Sequence, residues 1–353
     1  MSLGVLDDGA SLERLDPQGI LARIESLPEQ CEDAWRHAGD LRLPETHADA
    51  QDVVLLGMGG SAISGDILRS LATLTARKPV QVVRGYDIPA SVGESTLVVA
   101  CSHSGNTEET LSAFQQAVDA GAKTFVITTG GEIAQAADRA GAPVFRYEYE
   151  GEPRSSTGHQ LMALLALGER AGLLEPQEQA VSEAVTLMKR QRANLGFDSP
   201  RDQNPAKQLA ERLQWRLPVI VGADVLDVAA YRWKTQINEN SKSWALHETL
   251  PELDHNSIVG FGKPDVSRLH VVFLRHAALH PRLLLRYEAT GEALDDAGVS
   301  HETVEAQGTS ALAQVMTAIY FGDLTSYYLA LLNGVQPATV VPIDTLKAKL
   351  TGT

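Results

Sequence analysis

Short apolar runs alternate with helical stretches along most of the chain, and polar turns separate them. Residues 53–56 form a continuous run of valine and leucine, as expected for a parallel strand that is buried on both faces. Comparable runs occupy residues 80–83, 97–100 and 124–127. Polar turns follow several of these runs, and helical spacing resumes after them. This repetition of strand, polar turn and helix predicts a doubly wound α/β sheet of parallel strands.

A fainter copy of this pattern follows in the second half of the chain. Its predicted strands are residues 217–222, 257–260 and 270–274, and its predicted helices are residues 225–236, 281–292 and 310–332. The last helix is apolar around most of its circumference, which indicates burial between domains or subunits. The repeat favours a duplication in which the second copy lost the loops that could bind a ligand.

Helical spacing predominates outside the two repeats. Residues 17–37 space their apolar side chains as one helix, and residues 155–195 read as a mainly helical bridge. We therefore expect an α/β protein with two doubly wound, flavodoxin-like parallel-sheet domains and helical N-terminal and C-terminal segments. The predicted boundaries are residues 1–45 for the N-terminal helical segment, 46–152 for the first domain, 153–200 for the linker and 201–353 for the second domain with its C-terminal helices.

Composition narrows the classes of protein to which the chain can belong. With 353 residues, of which 44% are apolar and 21% charged, it is globular and long enough for two domains. Its net charge of −15 repels nucleic acids and anionic membranes, so we expect neither as a partner. Two cysteines cannot form a disulfide framework, which favours a cytoplasmic location. No apolar run approaches the roughly 20 residues of a membrane helix, and no signal peptide is apparent.

The first polar turn, at residues 57–61, is rich in glycine and resembles a dinucleotide-binding fingerprint whose third glycine is replaced by Ala62. The acidic residue that should bind the ribose about 20 positions later is missing, and Arg84 stands in that region. A dehydrogenase is therefore not favoured. Taken alone, the turn is explained equally well by close packing of strand and helix.

The turn after the third run is more informative. Ser102, Ser104 and Thr107 place three hydroxyl groups within six residues, around a glycine and an asparagine that accept left-handed backbone geometry. The turn precedes a helix, whose N-terminal N–H groups favour an anion. A single hydroxyl residue would be an ordinary helix cap. Three of them, with Ser61 on a neighbouring loop, favour a binding site for a phosphate monoester.

Several segments together resemble a known family. The turns at residues 59–61 and 102–110 are similar to the sugar isomerase (SIS) domain, which makes the predicted domains SIS-type. Across the chain from about residue 45, the sequence resembles the bifunctional phosphoglucose/phosphomannose isomerases of archaea and bacteria. The segments that carry this closer resemblance are residues 153–154, 237–242, 250–256 and 343–347.

The resemblance implies an aldose–ketose isomerase that interconverts glucose 6-phosphate, and also mannose 6-phosphate, with fructose 6-phosphate through a cis-enediol. Such a reaction needs one base within reach of both C1 and C2. The implied catalytic residues are Glu239 as the base, His255 for ring opening, Lys347 as its assistant and Arg154 for charge on the enediolate. The implied phosphate-binding residues are Gly60, Ser61, Ser102, Ser104 and Thr107. The family also implies a homodimer in which His255 reaches the partner's site, and neither a metal nor another cofactor.

Some alternatives stay open. Another SIS-domain phosphosugar isomerase or deaminase fits the serine-rich turn, and so does a non-catalytic sugar-phosphate sensor. A metal enzyme is a weaker alternative, because His247, Glu248, Asp254 and His255 cluster in sequence without the spacing of a helical zinc site. Either Ala338 or Thr339 stands where the family has a threonine that makes room for both C2 epimers, which leaves the epimer preference undecided.

Overall fold

The computed structural model describes residues 3–263 and 265–350, and these form two compact units. The first-sheet unit comprises residues 26–186 with 310–313. The second-sheet unit comprises the residues up to 25, residues 187–309 and those from 314 onward. The domain boundaries drawn from the sequence stay predictions.

Helices make up most of the described chain. The α-helices are α1 (Gly9–Leu15), α2 (Ile20–Glu25), α3 (Leu27–Ala38), α4 (Glu45–Ala48), α5 (Gly59–Thr73), α6 (Glu108–Asp119), α7 (Gly131–Ala140), α8 (Thr157–Arg170), α9 (Glu178–Leu195), α10 (Pro205–Leu213), α11 (Asp227–Ser241), α12 (Pro281–Asp296), α13 (Ala311–Asn333) and α14 (Val341–Leu350). The strands are β1 (Asp52–Leu56), β2 (Val80–Val83), β3 (Thr96–Ser102), β4 (Lys123–Thr128), β5 (Val144–Arg146), β6 (Leu217–Ala223), β7 (Leu246–Leu250), β8 (Leu269–Arg275) and β9 (Ser300–Glu305).

The first-sheet unit contains a parallel sheet in the order β2-β1-β3-β4-β5. Every residue of the central strand β3 is buried. On one face, Val54 and Val98 join the core formed with Phe114 of α6 and Ile133 of α7. On the other face, α5 packs closely on Leu55. Helices thus cover both faces of the sheet, which explains why its inner strands are continuously apolar.

The second-sheet unit repeats this design with a parallel sheet in the order β7-β6-β8-β9. Its core combines Val221 of β6 and Phe273 of β8 with Tyr287 of α12. A buried ion pair joins Arg232 of α11 to Asp323 of α13, with 2.7 Å between Nη2 and Oδ2. The structure confirms the predicted α/β class with two doubly wound parallel sheets.

Three strands escaped prediction, and one predicted strand is wrong. The missed strands β5, β7 and β9 all lie at sheet edges. An edge strand is covered less completely than a central one, so its sequence carries polar residues and no continuous apolar run. The predicted strand at residues 257–260 is a 3₁₀ helix, in which Val259 is 88% exposed. The Asn256 side chain accepts a hydrogen bond from the Ser257 backbone N–H, which turns the chain before a strand can form.

One predicted helix is divided in the structure, and another has a length that was not expected. Residues 17–37 hold two helices, α2 and α3, which meet at Ser26 and Pro28. The helix predicted at residues 310–332 is present as α13. By length and composition α13 could cross a membrane, so the expectation that no apolar run approaches that length was wrong. Burial of 94% of its most apolar window is what the core helix of a globular protein shows.

Candidate active site

The predicted phosphate-binding hydroxyls lie on a short loop, the serine loop (residues 102–107), between β3 and α6. The Oγ of Ser102, a residue only 1% exposed, lies 3.1 Å from the Oγ1 of Thr107. The backbone N–H of Gly105 donates to Ser102 Oγ at 3.1 Å, and that of Asn106 donates to Ser104 Oγ at 3.2 Å. The side chain of Ser104 is exposed. Three of the predicted site residues therefore share one compact loop.

The serine loop does not act as an ordinary helix cap. Thr107 is the N-cap residue of α6, yet its side chain makes no capping hydrogen bond and is directed to Ser102 instead. Met58 at the N-cap of α5 likewise makes no side-chain capping bond. The two helix N-termini thus keep N–H groups that no cap side chain satisfies, and these groups favour an anion.

The serine loop is braced by the turn after β4. A Cβ atom built on Gly105, whose φ is +72°, would lie 1.8 Å from the carbonyl oxygen of Gly130. The Asn106 Oδ1 accepts from the Glu132 N–H at 2.9 Å, and the Gly105 carbonyl accepts from the Ile133 N–H at 2.9 Å. Only glycine permits this approach of two backbones, so the turn fixes the loop conformation.

The glycine turn (residues 57–61) lies beside the serine loop. It follows β1, whose end pairs with β3 through Leu56 and Ala100. The order of strands in the sheet reverses between β1 and β3, so both loops lie at the topological switch point where such sheets bind ligands. Gly60 and Ser61 stand in the first turn of α5, and Ser61 is 6% exposed.

Arg154 comes to this place from a distant part of the sequence. It lies in a single 3₁₀ turn, Pro153–Ser155, and is 6% exposed. A Cβ atom built on Gly60 would lie 3.1 Å from the Pro153 carbonyl oxygen and 3.3 Å from the Arg154 Cα. The structure therefore brings Arg154 against the start of α5, next to the glycine turn.

A cluster of histidine and tyrosine rings beside the serine loop was not predicted. The Nδ1 of His103, within the loop, lies 3.1 Å from the Tyr147 hydroxyl. That hydroxyl also accepts from Gln160 Nε2 at 2.8 Å, and the Tyr147 ring stacks on His159 with 5.3 Å between centroids. Alternating aromatic residues at Phe145, Tyr147 and Tyr149 were the signal in the sequence, since period-two spacing places them on one side of the chain.

Burial keeps both histidines of this cluster neutral at physiological pH. It lowers the pKa of His103, and it lowers the pKa of His159 to about 4, with repulsion from His37 and His103 adding to the shift when those two are protonated. Burial also raises the pKa of Tyr147 to about 12. The cluster therefore supplies hydrogen-bonding groups beside the serine loop without adding charge.

The predicted base, Glu239, lies half-buried in the last turn of α11 in the second-sheet unit. The residues around it are held firmly. Asn240 Nδ2 donates to Ser326 Oγ at 2.9 Å, and Asn238 Oδ1 accepts from the Ala245 N–H at 3.0 Å. The conformation of the helix end is therefore fixed by α13 on one side and by the following loop on the other.

The segment with the candidate epimer-selecting residues lies at the same helix end. Lys242 Nζ donates to the Glu239 carbonyl at 2.5 Å and to the Pro337 carbonyl at 3.0 Å. Ala338 is 8% exposed, whereas Thr339 is half-buried and donates its Oγ1 hydrogen to the Gln336 carbonyl at 3.1 Å. Lys242 thus links the end of α11 to the segment that carries both candidates.

His255 and Lys347 lie on the surface of the second-sheet unit. His255 ends the 3₁₀ helix Glu252–His255, and Lys347 stands on α14, which has no buried residue. The neighbouring Asp254 accepts from Arg286 Nη1 at 2.6 Å and from Thr290 Oγ1 at 2.8 Å. The turn that carries His255 is therefore anchored on α12.

The residues of the metal alternative are engaged in other contacts. His247 Nε2 lies 2.8 Å from Asp227 Oδ1, and Glu248 accepts from Ser257 Oγ at 3.1 Å. Asp254 is paired with Arg286, as described above. Within residues 3–263 and 265–350, no group of three or more His, Cys, Asp or Glu side chains is placed to hold a metal ion. The geometry gives the metal alternative no support in this part of the chain.

Comparison with known proteins decides the family. Residues 48–170 match the SIS domain family, and residues 202–350 match the bacterial phospho-glucose isomerase C-terminal SIS domain. A bifunctional phosphoglucose/phosphomannose isomerase from Caldicellulosiruptor bescii is 38% identical over 330 residues, which cover 93% of this chain and 97% of the relative. The chain belongs to the bifunctional phosphoglucose/phosphomannose isomerase family. The resemblance drawn from the sequence motifs is thereby confirmed.

Further comparisons agree with this family and its fold. A bifunctional phosphoglucose/phosphomannose isomerase from Aquifex aeolicus is 33% identical over 301 residues, covering 84% of this chain and 90% of the relative. Among solved structures, the C-terminal domain of glucosamine-fructose-6-phosphate aminotransferase from Francisella tularensis has a TM-score of 0.73 at 15% identity, covering 91% of this chain and 98% of that chain. At that identity the likeness shows a shared SIS-type fold.

Proposed function

We propose that the chain is a sugar-phosphate isomerase that interconverts glucose 6-phosphate, and also mannose 6-phosphate, with fructose 6-phosphate. The observation that carries this proposal is the 38% identity to a bifunctional phosphoglucose/phosphomannose isomerase over 93% of the chain. The serine loop supports it independently, because its hydroxyl groups and the uncapped start of α6 suit a phosphate monoester.

The phosphate would be held by groups that carry no full charge. Ser61, Ser102, Ser104 and Thr107 would offer hydroxyl hydrogens, and Gly60 would let the backbone at the start of α5 approach the phosphate closely. Neutral donors and helix dipoles suffice for such a site. This chemistry suits a chain whose overall charge of −15 opposes the binding of anions.

The proton transfer would be carried by one carboxylate. Glu239 would take the proton from C2 and return it to C1, and Arg154 would stabilise the negative charge that develops on the enediolate. A fixed guanidinium aimed at developing charge contributes on the order of a few kcal/mol, the scale of an oxyanion-hole donor. His255, assisted by Lys347, would move the proton of the ring oxygen during ring opening.

We also propose that the protein turns over both C2 epimers, glucose 6-phosphate and mannose 6-phosphate. If Thr339 is the residue beside C2, its hydroxyl group would tolerate either orientation of the C2 hydroxyl of the sugar. If Ala338 is that residue, its small side chain would provide only space. The contact that joins Lys242 to both Glu239 and Pro337 supports a location of this segment beside the base.

We also propose that the protein is a cytoplasmic homodimer of central carbohydrate metabolism. Both free cysteines, Cys31 and Cys101, are buried, and burial raises the pKa of each to about 12, so they are inert thiols. Helix α14 exposes four apolar side chains to solvent. They are Val341, Ile343, Leu346 and Leu350, each at least 40% exposed. In the proposed dimer, a partner subunit would cover these side chains, and His255 would reach the partner's site.

One assay tests the isomerase proposal. The purified chain is given fructose 6-phosphate after EDTA treatment, and both aldose phosphates are followed by coupled enzymes. Turnover is expected without added metal. The variant Glu239→Gln should lower kcat by about 10²- to 10⁴-fold, the usual contribution of a general base. The control Glu288→Gln removes the same charge from an exposed position on α12 and should retain full activity.

The possible outcomes separate the alternatives. No turnover by the unchanged protein would favour a sugar-phosphate sensor or another phosphosugar reaction, and turnover only with added metal would revive the metal alternative. Full activity of Glu239→Gln would remove this residue as the base. For the dimer, equal amounts of Glu239→Gln and His255→Ala subunits are mixed. About half of the dimers then contain one subunit of each kind, and one of the two sites in each mixed dimer is intact, so about a quarter of the activity should be recovered.

A further inference from the structure

The second-sheet unit contains a cavity that none of the residues proposed above lines. Its volume is about 300 Å³, and it lies between the edge strand β9 and the helices α9, α10 and α13. The side chains that the following argument uses are Arg190, Gln191, Asn194, Arg212, Glu302 and Gln307. This volume is at the lower end of the range for pockets that bind small molecules.

Gln191 lines the cavity and carries an unsatisfied hydrogen-bond acceptor. Its side chain is 6% exposed, and its Oε1 is buried without a hydrogen-bond partner among the described residues. Buried polar atoms are nearly always hydrogen-bonded, because leaving one unpaired costs free energy. Because Gln191 lines the cavity, a rotation of its side chain would bring this unpaired acceptor to a donor on a ligand.

The charges in the cavity wall leave one cation unpaired. Glu302 accepts from Arg212 Nε and Nη2, both at 2.6 Å, and its Oε1 lies 2.8 Å from His270 Nε2. Although burial opposes ionisation, these partners lower the pKa of Glu302 to about 2, so it is ionised and neutralised by them. Glu305 is likewise paired with Arg275.

Arg190 is the remaining cation of the wall. It is an exposed residue, and no hydrogen bond or ion pair engages its guanidinium in the described part of the chain. A guanidinium presents several N–H donors in a planar fork that matches carboxylate and phosphate groups. The neutral amides of Asn194 and Gln307 add further hydrogen-bonding capacity to the same wall.

We propose that this cavity binds a small organic anion that carries hydroxyl groups. Its phosphate or carboxylate would pair with Arg190, and one of its hydroxyls would donate to Gln191 Oε1. The cavity belongs to the half of the chain whose loops lack the serine motif, so the second copy of the fold would have kept a ligand site at another place. This site is separate from the serine loop and does not depend on the proposed isomerase activity.

Titration calorimetry on the full-length chain tests this proposal. The probes are glycerol 3-phosphate, glycerate and inorganic phosphate. A serine-loop variant, Ser102→Ala with Thr107→Ala, removes the competing phosphate site from the measurement. In that background we expect glycerol 3-phosphate or glycerate to bind, and inorganic phosphate to bind more weakly because it has no alcohol to donate to the glutamine.

Two further changes in the same background locate the binding. Arg190→Gln should weaken binding by roughly 10- to 100-fold, the loss expected for a hydrogen bond to a charged group. The control Arg282→Gln removes an exposed arginine of α12 and should leave binding unchanged. Gln191→Leu should also weaken binding, while raising the melting temperature of the unliganded protein because the unpaired oxygen is gone.

Two results would overturn the proposal. The first is an absence of binding by all three probes in a serine-loop variant that circular dichroism shows to be folded. The second is binding that Arg190→Gln and Gln191→Leu leave at its original affinity, since the ligand would then lie elsewhere.

Discussion

The change Gly60→Ala tests whether the position of Arg154 matters for the proposed reaction. The added methyl group would lie 3.1 Å from the Pro153 carbonyl oxygen and 3.3 Å from the Arg154 Cα, whereas ordinary contacts are 3.4–4 Å. Both neighbours are backbone atoms, so the 3₁₀ turn that carries Arg154 must move by a few tenths of an ångström. We expect this displacement to change catalysis more than stability.

The magnitudes follow from this geometry. Overpacking of this kind costs about 1–3 kcal/mol, and the better helix propensity of alanine offsets about 0.5–1 kcal/mol of it. Since a misplacement of about 1 Å can cost 10²-fold in rate, a smaller shift of the arginine should lower kcat by about tenfold. Steady-state kinetics with fructose 6-phosphate measures the rate, and urea unfolding measures the free energy of unfolding.

Gly65→Ala is the matched control in the same helix. Its added methyl group would meet the Leu55 Cδ1 atom at 3.3 Å, which is the end of a side chain that can move aside. It should therefore alter stability without lowering kcat. If Gly60→Ala keeps kcat within twofold of the unchanged protein, the close approach of Arg154 to α5 has no catalytic role and the reasoning is refuted.

Three further predictions concern stability. Gly105→Ala should unfold the serine loop or the whole first-sheet unit, because its Cβ would lie 1.8 Å from the Gly130 carbonyl oxygen; amide exchange in the loop measures this, and native protection would contradict it. Arg232→Met should cost about 3–5 kcal/mol in urea unfolding, because it leaves Asp323 as an unpaired buried charge, and replacing both partners by apolar residues should cost much less. The pKa of His159 is lowered to about 4 in the folded state, so the unfolded state binds its proton more readily below about pH 6.5. Its contribution to stability is therefore complete above that pH and is lost as the pH falls towards 4. The variant His159→Phe should show a shallower loss of melting temperature over this interval, and an unchanged slope would refute the assignment.

The central strands could be read from the sequence because burial on both faces leaves an unbroken apolar run. Strands β7 and β9 could not, since an edge strand carries polar residues such as His247 and Glu302 among its apolar ones. The run at residues 257–260 shows the converse error, because a short apolar segment can form a 3₁₀ helix that leaves Val259 exposed instead of a strand.

The site was predictable only where it is local in sequence. Ser102, Ser104 and Thr107 fall within six residues, so the loop could be recognised from the order of its amino acids alone. The approach of Arg154 to Gly60 joins positions far apart in the chain and depends on packing that no local pattern encodes. The brace formed by the turn after β4 depends equally on tertiary structure.

That brace has a consequence for how the protein would discriminate among anions in a cell. A binding loop whose backbone is already fixed loses little conformational entropy when the ligand binds. Neutral hydrogen-bond donors, unlike lysine side chains, also exchange few counterions with the solvent. Affinity for the sugar ester should consequently lack the steep fall with ionic strength that lysine-rich phosphate sites show. Shape, rather than Coulomb attraction, would then select among phosphorylated metabolites.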